Sequence, residues 1–371
     1  MDTGTYTYTA LSRKYRGFLA PGCEITIGKR TIKGSTKLIP SLEVELTANG
    51  TASGCSFTID GQYDIGGSRW KDDLDKAVQV GAKLIIRGGY GGTEKQKELF
   101  YGFVDDYTFE LTSEDAPKVH VTGVDGLAYL MNLREPYYAG KEKAAQVVRR
   151  ILNKSVSAGY AKSVTVGRLE DFETPIVKEQ VDDWKFLNMM AQRHAATVLA
   201  VDGELVFDKL TANSAPILTL THNHNLRSFI KRVSLAHQVG FVEVWGRDVN
   251  QKAVKGVARE VSLGGNSGKS AAQVAASLKE AGLREYSEFA RTEEECQTLA
   301  QNRLNGIALG FASGEGSCVG IPELIAGRYV KIDSDDPTMK GKYFLTKVRH
   351  SFTMDGYTTS FEFKAAKIKG V

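Results

Sequence analysis

At 371 residues the chain is too long for one ordinary core, so two or three packed domains are expected. Hydrophobic residues make up 42% and charged residues 25%, with 8 prolines, which excludes a disordered chain or a long flexible linker. The 48 Lys and Arg against 44 Asp and Glu leave a formal net charge of only +4, which excludes a case for nucleic-acid binding on electrostatics alone.

Met1 to Gly22 alternates Tyr and Thr and then turns basic. It lacks the apolar stretch of a secretory signal, and no segment reaches the length of a membrane span, so synthesis in the cytoplasm is expected. Cys23, Cys55, Cys296 and Cys318 form no CxxC pair and read as buried, reduced thiols. The first 130 residues read as an antiparallel meander. Leu42, Val44 and Leu46 alternate with Glu43, Glu45 and Thr47, Asn49-Gly50 makes a turn, and Cys55, Phe57 and Ile59 form the return strand. Strands follow at Lys83–Arg87, Leu99–Leu111 and Lys118–Gly123, separated by the Gly88–Gly92 cluster and a turn over Ser113–Lys118.

The period then changes. Lys141 to Asn153 puts Ala144, Val147, Val148, Ile151 and Leu152 on one helical face. A second helix starts at Asp182-Asp183, where either carboxylate caps the first free N–H groups, and carries Trp184, Leu187, Met190, Ala191 and His194. A hairpin over Val198–Phe207 turns at Asp202-Gly203. After residue 215 strands resume at Phe241–Trp245, Tyr329–Asp333, Tyr343–Phe352 and Thr358–Phe363. Two helices lie between them, Ser270–Ala281 with Gly282 as C-cap, and Thr292 to about Leu304 with Cys296, Leu299 and Ala300 on one face. Within the chain, Gly81–Ile86 has the outline of Gly327–Ile332. Each is followed by a long strand, with Phe100 matching Phe344 and Val104 matching Val348, which suggests two copies of one β-unit.

Most of the chemistry on offer has a plainer reading. Gly264 to Ser270 resembles a phosphate loop but is one residue short of GxxxxGK[ST], so a loop entering a helix is expected. His222 and His224 lack a third ligand and read as a polar turn, and Asp333, Asp335 and Asp336 lack the central Gly and terminal Glu of a calcium loop. HExxH, GxSxG and paired Cys/His signatures are missing, and Asp105-Asp106 on one strand point to opposite faces. No catalytic, cofactor-binding or metal residue is assigned.

Taken in order, the patterned segments resemble the late-control protein D family of contractile-tail baseplate hubs, which shares its fold with the N-terminal hub part of VgrG. The resemblance rests on Gln180-Val181-Asp182-Asp183-Trp184-Lys185-Phe186-Leu187, on the hairpin Asp202–Phe207, and on Phe100–Val104 and Val121–Leu127 upstream. Downstream it rests on Asn225 to Phe229, Pro322–Gly327, Val348–Phe352 with His350, and Gly356-Tyr357. It implies structural roles for Gln180, Asp183, Trp184, Phe186, Leu187, Asp202, Gly203, Gly327, His350, Gly356 and Tyr357, with Gly327, Gly341 and Gly356 at turns. The implied fold is β-rich α+β, ring-forming, with two tube-like antiparallel β-barrel domains flanking a small α+β domain. The expected boundaries are 1–133, 134–213 and 214–371, the last with a helical insertion at about 266–308. The implied function is a structural, non-enzymatic baseplate hub of a contractile phage tail or injection system, incorporated in the particle. Implied partners are two further copies of the chain, a spike, a tail-tube or tube-initiator protein, the tape-measure protein and a baseplate wedge. Neither a membrane span nor sequence-specific nucleic-acid binding is implied. Because the chain stops soon after Thr358–Phe363, the spike is expected as a separate polypeptide and the Lys364, Lys367 and Lys369 ending as a solvated tail.

Overall fold

The computed structural model describes residues 4–34, 38–91, 96–140, 142–210, 214–263 and 268–370. The Tyr/Thr-rich start forms a helix that its alternation does not announce, α1 (Tyr8–Lys14). Thr7 caps it by accepting from the Ala10 N–H, and Leu11 and Tyr15 are drawn into the main core, which outweighs the local pattern. The first β-unit then contains β1 (Pro21–Ile27), β2 (Arg30–Gly34), β3 (Leu42–Thr47) and β4 (Gly54–Asp60). A short hairpin, β5 (Tyr63–Asp64) and β6 (Arg69–Trp70), and the single turn α2 (Leu74–Ala77) lead to β7 (Lys83–Tyr90), β8 (Lys97–Glu110) and β9 (Lys118–Asp125). Leu42, Val44 and Leu46 face the core as their alternation requires. Gly88 and Gly89 do not separate strands as expected; they belong to β7 and pair with Cys23 and Gly22, while Gly92 lies outside the described residues.

The middle comprises α3 (Gly126–Tyr129), β10 (Tyr137–Ala139), α4 (Ala144–Ser157), β11 (Ser163–Val166), β12 (Ile176–Lys178), α5 (Asp183–Arg193), β13 (Ala196–Val201) and β14 (Glu204–Lys209). Lys141 lies outside the described residues, but the apolar face named for α4 is buried, with Val147, Val148 and Leu152 in a core of their own beside Trp184, Leu187 and Phe207. Asp182 caps α5 by accepting from the Lys185 N–H at 2.7 Å. Asp202 and Gly203 both take positive φ, +52° and +78°, the primed turn that suits a two-residue hairpin.

The rest contains β15 (Pro216–Thr221), β16 (Leu226–Val233), β17 (Phe241–Arg247), β18 (Ala253–Ala258), α6 (Ala271–Val274), β19 (Gly282–Tyr286), α7 (Glu293–Ala308), β20 (Ala312–Val319), β21 (Tyr329–Asp333), β22 (Gly341–Thr353) and β23 (Gly356–Ala365). Several expectations fail here. The helix over Ser270–Ala281 stops after one turn, and Gly282 is no cap but the first residue of β19, paired with Phe241. A Cβ there would lie 2.0 Å from the Phe241 ring, so the strand approaches that ring only through glycine. The insertion is therefore α+β: β18, β17 and β19 form a sheet covered by α7, around Val242, Val244, Cys296 and Leu304. Gly341 is likewise a strand residue opposite Ile332 and not a turn. Nor is the ending a free tail, because Ile368 exchanges two backbone hydrogen bonds with Lys269, at 2.8 and 3.0 Å.

The architecture is β-rich α+β. The two β-units are hydrogen-bonded into one 13-stranded sheet that follows the order β16-β20-β23-β22-β3-β4-β9-β8-β7-β1-β2, with β21 and β15 continuing from β22. A single hydrophobic cluster runs beneath both units, from Ile25 and Leu84 to Phe344 and Phe363.

Candidate assembly surfaces

The two β-units repeat one another in hydrogen bonding as well as in outline. Gly81 and Gly327 hold φ of +78° and +80°, a conformation that favours glycine. The Gly81 N–H donates to the Val104 carbonyl and the Val104 N–H to that of Ala82; Gly327, Leu345 and Arg328 repeat both bonds. The next residue, Asp105 or Thr346, is bulged in both long strands. Val104 is thus equivalent to Leu345, and Phe103 to Phe344, not Val104 to Val348 and Phe100 to Phe344 as the sequence match implied. The aromatic match is three residues out of frame. Residues 99–102 are buried on both faces of β8, so alternation there does not set the register.

The units meet where β22 pairs with β3 over Lys347↔Thr47 to Phe352↔Leu42. On the outer face Arg349 donates to Glu45 at 2.7 Å and lies 3.2 Å from Glu43, while Lys347 lies 3.1 Å from Glu45. Partial burial opposes ionisation of Glu45, but hydrogen bonds from Arg349 and Lys347 outweigh it and hold the carboxyl below its usual range. On the inner face the His350 imidazole, fully buried, meets the Leu324 carbonyl at 3.1 Å, the Tyr357 hydroxyl at 2.8 Å and the Thr359 hydroxyl at 3.3 Å. Burial pushes its pKa down to about 3, so it is a neutral crosslink in this core. Beyond it, Glu323 accepts from Tyr15 and from Lys14, each at 2.7 Å, and the buried Arg328 donates to the Gly4 carbonyl at 3.0 Å. These bonds tie the N-terminal helix and the chain before it to the second β-unit.

The remaining motif residues hold the middle unit. Trp184, Phe186 and Leu187 are buried on α5, whereas Gln180 is exposed before it. Asp183 is buried with Lys178, to which it is ion-paired; it also accepts from Lys154 at 2.8 Å, and Lys178 donates to the Glu135 carbonyl at 2.7 Å. Gly356 opens β23 with φ +121°, and Tyr357 stacks on Phe352.

Comparison with known proteins decides the family. The sequence model described as the Alg8 N-terminal domain matches residues 22–354. The chain belongs to the Alg8 N-terminal domain family. No curated protein matches it. The fold is similar to that of a tail protein from Neisseria meningitidis MC58, with TM-score 0.68 and 12% identity over 93% of this chain and 97% of that one. It is equally similar to the 43 kDa tail protein of prophage MuSo2 from Shewanella oneidensis, with TM-score 0.68 and 13% identity over 95% and 100%. An E. coli type VI secretion component, described as structurally similar to the T4 bacteriophage tail proteins gp27 and gp5, gives TM-score 0.50 and 13% identity over 88% and 73%. At such identities the likeness is one of fold.

In this Alg8 N-terminal domain family member the sequence positions weighed for chemistry do not converge. Residues 222–225 form the expected turn, in which the Asn225 side chain accepts from the Thr221 N–H at 2.6 Å. Asp336 is occupied by Thr338, whose N–H and hydroxyl both donate to it. Residues 264–267 of the glycine-rich loop lie outside the described residues. Asp105 and Asp106, expected on opposite faces of a regular strand, lie at the bulge of β8, and both are exposed. No group of three or more metal-ligating side chains occurs among the described residues, and none of their helices is long and apolar enough to cross a membrane.

A hollow of about 270 Å³ beside α5 is lined by Asp171, Thr174, Arg193 and His194, with His194 Nδ1 3.2 Å from Glu170. Burial opposes ionisation of Glu170, yet bonds from His194 and Lys209 hold its pKa at about 2, so the carboxylate is committed to structure. Sequence reading missed the junction pairs. Their signal was present: acids at alternate positions of β3 and bases at alternate positions of β22 suit two strands side by side.

Proposed function

We propose that this protein is a structural hub of a contractile phage tail or a related injection particle, a homotrimeric adaptor between a spike and the tail tube that leaves a central channel. The observation that carries the reading is the repeated unit, since three chains with two like β-units each present six similar faces, the number a hexameric tube requires. Likeness of fold to tail proteins over nearly the whole chain supports it, as does the motif order that resembles late-control protein D. The division near residues 133 and 213 belongs to the same reading and is supported by the separate core of the middle unit. In this role the buried motif residues shape interfaces and perform no chemistry. The partners are a spike, a tube or tube-initiator protein, the tape-measure protein and a baseplate wedge, met during assembly of the particle.

Light scattering with negative-stain imaging, followed by co-assembly with the tube and spike proteins of the same particle, tests the reading. A trimeric ring of pseudo-sixfold appearance that retains both partners is expected. A chain that stays monomeric at high concentration and binds neither partner overturns it.

A further inference from the structure

The repeat also indicates what is missing at the two ends of the pattern. Where β22 runs on past β21, its edge is taken by β3. β8 runs on past β7 in the same way, but the corresponding edge of residues 106–110 has no backbone partner among the described residues. At the other end β16, the counterpart of β3, has β20 as its one strand partner among the described residues, apart from a single bridge between Leu226 and His222, and is the terminal strand of the sheet. Ile230 is 60% and Val233 43% exposed along it, an uncovered apolar edge that soluble proteins ordinarily blunt.

We propose that the open edge of β8 pairs with β16 of a second copy of this chain, antiparallel, with Thr108 opposite Arg232. This deepens the hub reading, on which it rests for a multimeric chain, by naming the surface that joins the copies. The register follows from the ladders. The bulge makes Thr108 equivalent to Arg349. Leu42 faces Phe57, which faces Val121; Phe229 faces Gly316, which faces Phe361, the counterpart of Val121. Leu42 therefore corresponds to Phe229 and Glu45 to Arg232, so the Arg349–Glu45 pair becomes Thr108 facing Arg232.

Charge supports this register. At the junction inside the chain the bases lie on the long strand and the acids on β3. Between copies the signs are exchanged but still complementary: Arg232 would sit diagonally between Asp106 and Glu110. Asp106 and Arg232 have no ion-pair partner among the described residues, while Glu110 holds His120 at 2.9 Å. On the inner face Leu111, 59% exposed, would cover Phe229, as Phe352 covers Leu42. Within the chain β8 and β16 are not paired and six strands lie between them in the sheet, so the proposed contact joins two copies.

Cysteine pairing tests it, because all four native cysteines are buried. A full-length Thr108→Cys, Arg232→Cys variant is oxidised and run on a non-reducing gel. Thr108→Cys with Ser228→Cys, about 13 Å farther along the same face, is the control. Covalent multimers from the first pair only, dissolved by reductant, are expected. Equal cross-linking of both variants, or none from the first, overturns the pairing. If the unsubstituted chain is nonetheless multimeric and retains tube and spike proteins, the hub reading stands without it; if the unsubstituted chain binds neither, that reading fails separately. In a second test, Arg232→Glu raises the concentration for half-association by about tenfold or more through like-charge contact. Asp106→Arg with Glu110→Arg in the same chain restores it. A midpoint unmoved by Arg232→Glu overturns the register.

Discussion

Arg349 and Glu45, 304 positions apart in the chain, meet at 2.7 Å directly across the ladder that joins the two β-units. The pair is partly exposed, at 43% and 29% of the side chains, so solvent screening keeps its worth near the surface range. Arg349→Ala is expected to destabilise by about 0.5–1 kcal/mol in urea unfolding, and by less in high salt. Because the Glu45 carboxyl is held below its usual range, this stability is present above the unfolded pKa of about 4.3 and is lost as pH falls through the lower folded value.

His350 gives a second acid dependence at the same junction. Its folded pKa, about 3, lies below the unfolded value of about 6.5, so the unfolded chain binds the extra proton between them. Stability is full above pH 6.5 and should decline by about 1 kcal/mol per pH unit on acidification towards 3. His350→Gln should flatten that slope in urea titrations at pH 7 and pH 5, whatever its effect at neutral pH.

Asp183 and Lys178 form a pair that is 1% exposed on both sides. Asp183→Ala leaves the buried Lys178 ammonium without its carboxylate and is expected to cost about 3–5 kcal/mol. Replacing both, as Lys178→Met with Asp183→Leu, should cost less than Asp183→Ala alone, since no charge is left stranded. A double-mutant cycle by chemical denaturation reads the difference.

Asp125 ends β9 and caps α3, accepting from the Leu127 N–H at 2.8 Å and the Ser53 N–H at 2.7 Å. Burial raises its pKa to about 6 against those bonds, so ionisation opposes folding, and this group's contribution should fall by about 1 kcal/mol per pH unit as pH rises from about 4 to 6, opposite in sign to that of His350. Asp125→Ala leaves two buried donors without an acceptor and is expected to cost about 2–4 kcal/mol, measured by thermal and urea unfolding.

The sequence alone carried the local structure because its signals act over a few residues. Alternation marked β3 and β4, Asp182 marked the start of α5, and Asp202-Gly203 marked the turn between β13 and β14. It faltered where a short segment is ruled by what lies against it. Thr7 to Tyr15 is helical because Leu11 and Tyr15 are buried, and Gly282 is a strand residue because the Phe241 ring lies over it. The resemblance between Gly81 and Gly327 could be found by eye, but its frame could not, since both faces of β8 are buried where the match was drawn. Only the tertiary structure decided that β22 lies beside β3, and with it which charges meet and which edges stay open. Pairing partners hundreds of residues apart are chosen by shape and burial summed over the whole sheet, and no local pattern encodes that sum.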